Sequence, residues 1–323
     1  ALAVVSGAQA ADAIVAAEPE PMEYVRVCDA FGTGYFYIPG TETCLKISGE
    51  VRFQYSWNSD RIVGSSAATA TRVDDFTGSF STRGRVNFEA KNDSEVGTIG
   101  SFVRLQGTSG GNVSLDQAYI TVGGFKAGYF TTFADDIGIA GENDAFIGAA
   151  KFDAVSYTYA SDAFTIGLGV DELTDVGFSD LGAEVYASAS LGAATVSVWG
   201  LYDFDAKEGA VSAKIAADVG PGTFELYGVY SSGTNAYVAS VDGLGDLEWT
   251  VGAAYGFKAT EKLKITPSVN YWEAQNGSDA WGAGLLAEYS IASGLKASAT
   301  VDYFDTDARG ESWSGFVRLT RSF

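Results

Sequence analysis

The chain has 323 residues, including 40 glycines, 5 prolines and 13% aromatic residues, a composition that favours β-strands joined by close turns over helices. A formal net charge of −21 excludes a nucleic-acid partner, because such a partner requires a basic face. The absence of histidine excludes Ser-His-Asp and Cys-His catalysis and HExxH zinc sites, so we expect no enzymatic activity and no metal or other cofactor.

The first ten residues, 1–10, resemble the C-terminal end of a secretory signal peptide. An apolar stretch leads to the small residues Ala8 and Ala10, which fits a secretory signal with an A-x-A cleavage site. On this interpretation residues 1–10 are the remnant of a cleaved signal peptide, and residues 11–45 form a periplasmic N-terminal extension. The alternative is an ordinary alanine-rich disordered end.

The two cysteines of the chain, Cys28 and Cys44, enclose a segment rich in glycine and tyrosine. An exported protein with two cysteines most simply forms one disulfide. We therefore predict a bond between Cys28 and Cys44, with two free thiols as the alternative.

From Lys46 onward the sequence repeats a strand pattern with a two-residue period. In 47–57 the odd positions carry glycine or apolar residues and the even positions are polar, so one face of the strand is apolar. About ten residues is the length of a tilted strand that crosses a bilayer. The same pattern predicts sixteen strands, with apolar faces at 47–57, 86–90, 99–105, 118–122, 125–129, 155–159, 164–170, 181–187, 196–198, 211–215, 224–230, 247–255, 263–271, 281–289, 295–303 and 313–323.

Short and long connections alternate between these strands. Tight links such as 92–94 and 123–124 alternate with longer segments such as 58–79, 132–151 and 232–245. Short turns on one rim and long loops on the other are typical of outer-membrane barrels. The predicted fold is therefore all-β, a 16-stranded antiparallel up-and-down transmembrane β-barrel over residues 46–323.

The charges and rings of the predicted strands support a membrane position. Strand charges fall almost entirely on the polar face, as expected if a charge facing lipid at mid-bilayer costs roughly 2–4 kcal/mol. The strands of a soluble β-sandwich also alternate apolar and polar residues, but such a protein does not need aromatic rings at both ends of its strands. The rings predicted to form the two membrane girdles are Trp57, Trp249, Trp281, Trp313 and Phe323.

Sixteen strands enclose a lumen too wide for side chains to fill, so we predict a water-filled channel. The loop at 132–151 is glycine-rich and acidic, and we predict that it folds inward and narrows the channel through Asp135, Asp136, Glu142 and Asp144. Inward arginines on strands 1, 2, 3 and 16 are predicted to face it as one basic wall, formed by Arg52, Arg85, Arg104 and Arg318. The alternatives are a solvated extracellular loop and local pairing of the arginines, for instance Arg52 with Glu50.

Segments at both ends of the chain carry a family resemblance. The stretches 24–30 (YVRVCDA) and 34–46 (GYFYIPGTETCLK), the leader end 6–10 and the terminal 321–323 are similar to those of alphaproteobacterial outer-membrane general diffusion porins of the rhizobial type. The resemblance implies a trimeric porin in the outer membrane of a Gram-negative bacterium, with a third loop that narrows the pore. It also implies that the barrel assembly machinery recognises Phe323.

These observations together predict a porin for passive diffusion of small hydrophilic solutes and ions. The expected partners are two further copies of the chain, outer-membrane lipid and lipopolysaccharide. A substrate-specific sugar or anion channel is one alternative, although a sugar path needs a continuous aromatic slide and the inward rings look dispersed: Phe102, Tyr119, Tyr186, Tyr227 and Phe316. A non-conducting adhesin or receptor barrel is the other, and it would need a plugged lumen.

Overall fold

The computed structural model describes residues 26–63, 71–143, 151–173, 180–238, 240–241, 245–307 and 310–323. The predicted leader remnant 1–10 lies outside these ranges. The one helical element in them is the short 3₁₀ helix Phe133–Asp136. No helix of the described residues is long and apolar enough to cross a membrane.

Sixteen long strands form one antiparallel sheet that closes on itself. In chain order they are β1 Cys44–Val63, β2 Thr71–Ser94, β3 Gly97–Thr108, β4 Ser114–Val122, β5 Phe125–Thr131, β6 Lys151–Ala160, β7 Phe164–Glu172, β8 Leu181–Ser190, β9 Ala194–Asp203, β10 Glu208–Val219, β11 Gly222–Ser231, β12 Gly245–Lys258, β13 Leu263–Ala274, β14 Asp279–Ala292, β15 Leu295–Thr306 and β16 Gly310–Ser322. Two further strands of two residues each, Phe36–Tyr37 and Ser240–Val241, pair with β1 and β12.

Closure of the sheet occurs between the first and last long strands. β16 pairs with β1 from Ser314 opposite Asn58 to Ser322 opposite Glu50. Each of the sixteen long strands that the structure describes therefore has a hydrogen-bonded neighbour on both sides, as a closed barrel requires. The predicted sixteen-stranded barrel is confirmed, including its short fourth and fifth strands.

The alternation along each strand places apolar side chains outside and polar side chains inside. Val51 is 49% exposed and Val317 is 61% exposed on the outer face, whereas the inward Asn270 is 1% exposed. A soluble β-protein has the opposite arrangement, with its apolar face covered. The outer face thus suits the hydrocarbon core of a bilayer.

Two departures from the predicted strands have local causes. The predicted loop 58–79 is mostly strand, because β1 continues to Val63 and β2 begins at Thr71, past a register shift that follows Asn58. At the start of β12, the two-residue period predicts Leu247 on the outer face, but its side chain is fully buried inside the barrel. A register shift between Leu247 and Trp249 causes this, because one extra residue in a strand reverses which face its neighbours occupy.

The cysteine segment is tied to the start of the barrel. Cys28 and Cys44 form the predicted disulfide, with their Cα atoms 5.9 Å apart. Both cysteines and Tyr35 are buried together, and Phe31 and Tyr37 pack against them. The segment is thereby joined covalently to the first residue of β1.

Candidate functional site

The loop between β5 and β6, called the third loop below, is bound to the inner wall of the barrel. The backbone N–H of Phe133 donates to Glu184 of β8 at 2.8 Å, and the indole of Trp199 on β9 donates to the Phe133 carbonyl at 2.9 Å. Further along, the backbone N–H of Ala140 donates to Glu225 of β11 at 2.6 Å. Since these side chains point inward from their strands, the described part of the loop runs along the inside of the barrel.

The end of the described loop reaches the opposite wall. Asn270 of β13 donates to the carbonyl of Asn143, and the side chain of Asn143 donates to the Tyr303 carbonyl of β15 at 3.5 Å. Glu142 accepts a hydrogen bond from Arg318 of β16 at 3.0 Å. The loop therefore spans the lumen from β8 to β16.

An apolar cluster fills the space between the loop and the wall beneath it. Ala134, Ile137 and Ile139 of the loop are buried there. The buried wall residues of this cluster are Trp199, Leu201, Ala210, Tyr227, Val229, Leu247, Ala254, Trp272, Ala274 and Ala280. One side of the lumen, lined by β9 to β14, is thus occupied by packed side chains.

The segment that follows β11, 232–238, also enters the barrel. Tyr237 is fully buried, and its hydroxyl donates to Asp171 of β7 at 2.6 Å. Burial, followed by this hydrogen bond, raises the pKa of the Tyr237 phenol. A Cβ on Gly182 would lie 2.0 Å from the Tyr237 hydroxyl, so the glycine leaves the space that the ring needs.

The predicted basic wall lies on the side of the lumen that the loop leaves open. Arg52, Arg85, Arg104 and Arg318 point inward from β1, β2, β3 and β16, which are contiguous in the closed sheet. Their side chains are 14–27% exposed, in contrast to the buried cluster on the other side. Sequence reasoning left out Arg83, which also points inward from β2 and lies directly opposite Arg52.

Three of these arginines are held by a polar neighbour through Nε. Arg85 donates through Nε to Gln106 at 2.9 Å, Arg104 donates through Nε to Asn87 at 2.9 Å, and Arg318 donates through Nε to Gln54 at 2.6 Å. Arg318 also lies over the Phe316 ring, 3.7 Å from its centroid. These contacts fix the guanidinium groups without neutralising them.

Two carboxylates supply most of the counter-charge to the wall. Glu50 contacts Arg83 and lies 3.8 Å from Arg52, so the local pairing of Arg52 with Glu50 is present in loose form. Asp116 contacts Lys151 and lies 3.7 Å from Arg104 and 3.9 Å from Arg85. The arginines are therefore both grouped and partly paired.

Sequence reasoning missed Asp116 because of a bulge. A register shift lies between Arg104 and Leu105 of β3, where Gln117 and Leu115 of β4 are the facing residues. Asp116 and Gln117 are consequently both buried inside the barrel. The signal was present in the sequence, since the apolar positions change parity between Leu115 and Ala118.

The four predicted loop carboxylates do not share one environment. Glu142 touches the arginine wall, whereas Asp135 and Asp136 lie in the 3₁₀ helix near the base of the loop. Partial burial and the neighbouring Asp135 raise the pKa of Asp136, and the nearby Lys214 and Lys126 oppose that shift. Asp144 lies outside the described residues.

The predicted girdle rings lie at both ends of the strands. Trp249 packs on Tyr271, and Tyr303 packs on both Trp281 and Trp313, each pair with ring centroids 4.9 Å apart. On β1, Trp57 stacks on Phe76 at the same, long-loop end. Phe323 lies at the short-turn end, where its backbone N–H donates to Gly49 at 3.0 Å.

The inward aromatic residues form separate groups within the described barrel. Phe102 stacks on Tyr119 at 4.9 Å, while Tyr186 packs against Phe133 and Trp199 beneath the loop. Tyr227 is buried in the apolar cluster, and Phe316 lies under Arg318 on the other wall. A continuous aromatic path along the open side is not present among these rings.

Comparison with known proteins identifies similar chains. The family model described as porin subfamily matches residues 12–318. A putative outer membrane protein, y4fJ, of Sinorhizobium fredii is 43% identical over 100% of this chain and 96% of its own length. Outer membrane protein IIIA of Rhizobium leguminosarum bv. viciae is 40% identical over 95% and 87%, and porin Omp2a of Brucella suis biovar 1 is 31% identical over 100% and 97%.

Solved structures with the same fold are more distant in sequence. A loop-deletion mutant of OmpT, an outer membrane protein of Vibrio cholerae, aligns with a TM-score of 0.67 at 15% identity, over 88% of this chain and 100% of that chain. A mutant of the Rh. blastica porin aligns with a TM-score of 0.62 at 16% identity, over 86% and 100%. At this identity the likeness concerns the fold alone.

Proposed function

This chain belongs to the porin subfamily of outer-membrane channels, and we propose that its solutes pass between the third loop and the arginine wall. Small hydrophilic solutes and ions would diffuse there passively. The observation that supports this path is the asymmetry of the lumen: the β9–β14 side is packed with buried apolar side chains, while the arginines opposite remain partly exposed.

A transverse field across this gap would select polar solutes. The carboxylate of Glu142 projects from the loop, and guanidinium groups line the facing strands. Opposite charges across a narrow aqueous gap order the water between them, and an apolar solute must disturb that order to pass. Polar and charged solutes can replace the ordered water at a lower cost in free energy than apolar solutes can.

The assembly and surroundings of the channel are part of the proposal. We propose a homotrimer, in line with a trimer form of Vibrio cholerae OmpT among the similar structures. Outer-membrane lipid and lipopolysaccharide would cover the apolar outer face, and the barrel assembly machinery would recognise Phe323. Residues 11–45 would form a periplasmic extension, and the protein would have no enzymatic activity.

Single-channel recording of the purified protein in a planar bilayer tests the proposed diffusion path. We expect stepwise ohmic currents that no single sugar saturates. A folded, heat-modifiable trimer that gives no conductance would refute the proposal. Currents that one sugar blocks at a saturating concentration would instead support a substrate-specific channel.

A further inference from the structure

The arginine wall carries more positive than negative charge in the part of the chain that the structure describes. Three carboxylates lie within 4.0 Å of its cations, namely Glu50, Asp116 and Glu142. These three carboxylates lie near six cationic side chains: the four arginines of the wall, together with Arg83 and Lys151, which we count with the wall from here on. The wall therefore has three positive charges in excess.

The excess is most concentrated where β1 meets β2. Arg52 and Arg83 are direct cross-strand partners, an arrangement that destabilises a sheet when both residues carry the same charge. Glu50 is the carboxylate that both contact, and it lies closer to Arg83 than to Arg52. One negative charge thus faces two positive charges.

Donor groups of this pair also lack acceptors. The Nε atoms of Arg52 and Arg83 are buried and have no hydrogen-bond partner among the described residues. Both side chains are otherwise partly exposed, 27% for Arg52 and 20% for Arg83, so an anion in the lumen can reach the exposed part of each. The planar guanidinium fork matches the oxygens of phosphate and sulfate, to which it donates paired hydrogen bonds.

The carboxylates of the loop do not cancel this excess. Glu142 is bound to Arg318, while Asp135 and Asp136 are near the base of the loop, where Lys126 and Lys214 act on Asp136. Charges elsewhere on the chain are screened over about 8 Å at physiological ionic strength. The local charge of the wall, rather than the formal net charge of −21, then governs an ion in the gap.

We infer that the arginine wall is a binding subsite for small inorganic oxyanions of the phosphate and sulfate class, centred on Arg52 and Arg83. Anions consequently pass more readily than cations, although the chain as a whole is acidic. This inference rests on the proposed path between the third loop and the wall. The ligand is a free anion in the lumen, because the wall faces away from the lipid.

The test combines ion selectivity with block by inorganic phosphate. In a potassium chloride gradient the native channel gives a reversal potential that favours chloride, and added phosphate reduces the chloride current saturably. The double variant Arg52→Gln with Arg83→Gln loses most of the chloride preference, and its affinity for phosphate falls about tenfold or more. Lys264→Gln, which removes a lumenal cation of β13 that lies opposite Glu288 of β14, is the control and leaves both readings unchanged.

A second double variant separates charge from geometry. Arg52→Lys with Arg83→Lys keeps the positive charge but loses the fork, so chloride preference remains while phosphate block weakens. A native channel that conducts but favours potassium, or that phosphate does not block, would overturn the inference and leave the porin function standing. A folded trimer without any conductance would refute the proposed function, and the inference would fall with it.

Discussion

Glu142 is the carboxylate of the described third loop that touches the arginine wall. Its ion pair with Arg318, at 3.0 Å, places one negative charge inside the proposed gap. Asp135 also carries a carboxylate, but it lies near the base of the loop, in the 3₁₀ helix. The two residues therefore provide a matched pair for testing where the ions pass.

Glu142→Gln should shift the permeability ratio toward chloride by up to about fivefold, because one charge about 4 Å away in water is worth about 1 kcal/mol. Asp135→Asn should shift the ratio less. Reversal potentials in a salt gradient measure both. Equal shifts for the two variants, or a larger one for Asp135→Asn, would place the ion path on the other side of the loop.

Asp136 should lose its negative charge at an unusually high pH. Partial burial, together with Asp135, raises the pKa of its carboxyl, so the neutral form is favoured and the charge disappears as pH falls through that raised value. The reversal potentials of the native channel and of Asp136→Asn should differ at pH 7. As pH falls, the two reversal potentials should converge, and the midpoint of this change should lie at a pH above about 3.9, the ordinary pKa of aspartate. A midpoint at or below that value would contradict this prediction.

Within the strands, inward glycines decide where the loops can dock. Gly167 of β7 leaves room for the Phe133 ring, and Gly182 of β8 leaves room for Tyr237. Each glycine thus accepts a ring from a loop distant in the sequence. The glycines were visible as inward positions, but the rings that cover them could not be predicted from a two-residue period.

Gly182→Ala should displace Tyr237 from Asp171 and loosen the segment 232–238, because its methyl group would lie 2.0 Å from the phenol oxygen. We expect a loss of about 1–3 kcal/mol in stability, typical of overpacking. Denaturant unfolding followed by gel mobility measures this loss. Gly84→Ala is the control, since a Cβ there would meet no atom within 4 Å. Equal stability of the two variants would show that Tyr237 does not depend on this space.

The alternation of apolar and polar residues predicts where the strands lie. It does not always predict which side chains of a strand face the lumen. The two-residue period located all sixteen strands, because lipid outside and water inside demand opposite side chains on the two faces. Bulges broke the predicted phase at Leu247 and hid Asp116, since one extra residue reverses the faces. Arg52, Arg85, Arg104 and Arg318 could be grouped because closure of the ring makes their strands neighbours.

At the scale of the whole molecule, the barrel fold is shared with chains of distant sequence. The way in which the lumen is filled depends on contacts of this chain. Solved structures at 15–16% identity have the same fold, so strand number and closure tolerate wide change in sequence. The way that the third loop and the segment 232–238 fill one side of the lumen depends on contacts between residues far apart in the chain. Those contacts leave no periodic trace in the sequence.

The most direct test of the proposed path is thiol block at two inward serines of the barrel. The native cysteines are joined in a disulfide, so an introduced cysteine would be the one free thiol. Ser81 of β2 is exposed on the arginine side, and Ser212 of β10 is buried beside Trp199 on the packed side. A charged methanethiosulfonate reagent should reduce the single-channel current of Ser81→Cys and leave that of Ser212→Cys unchanged. Block of Ser212→Cys with an unaffected Ser81→Cys would contradict a path along the arginine wall.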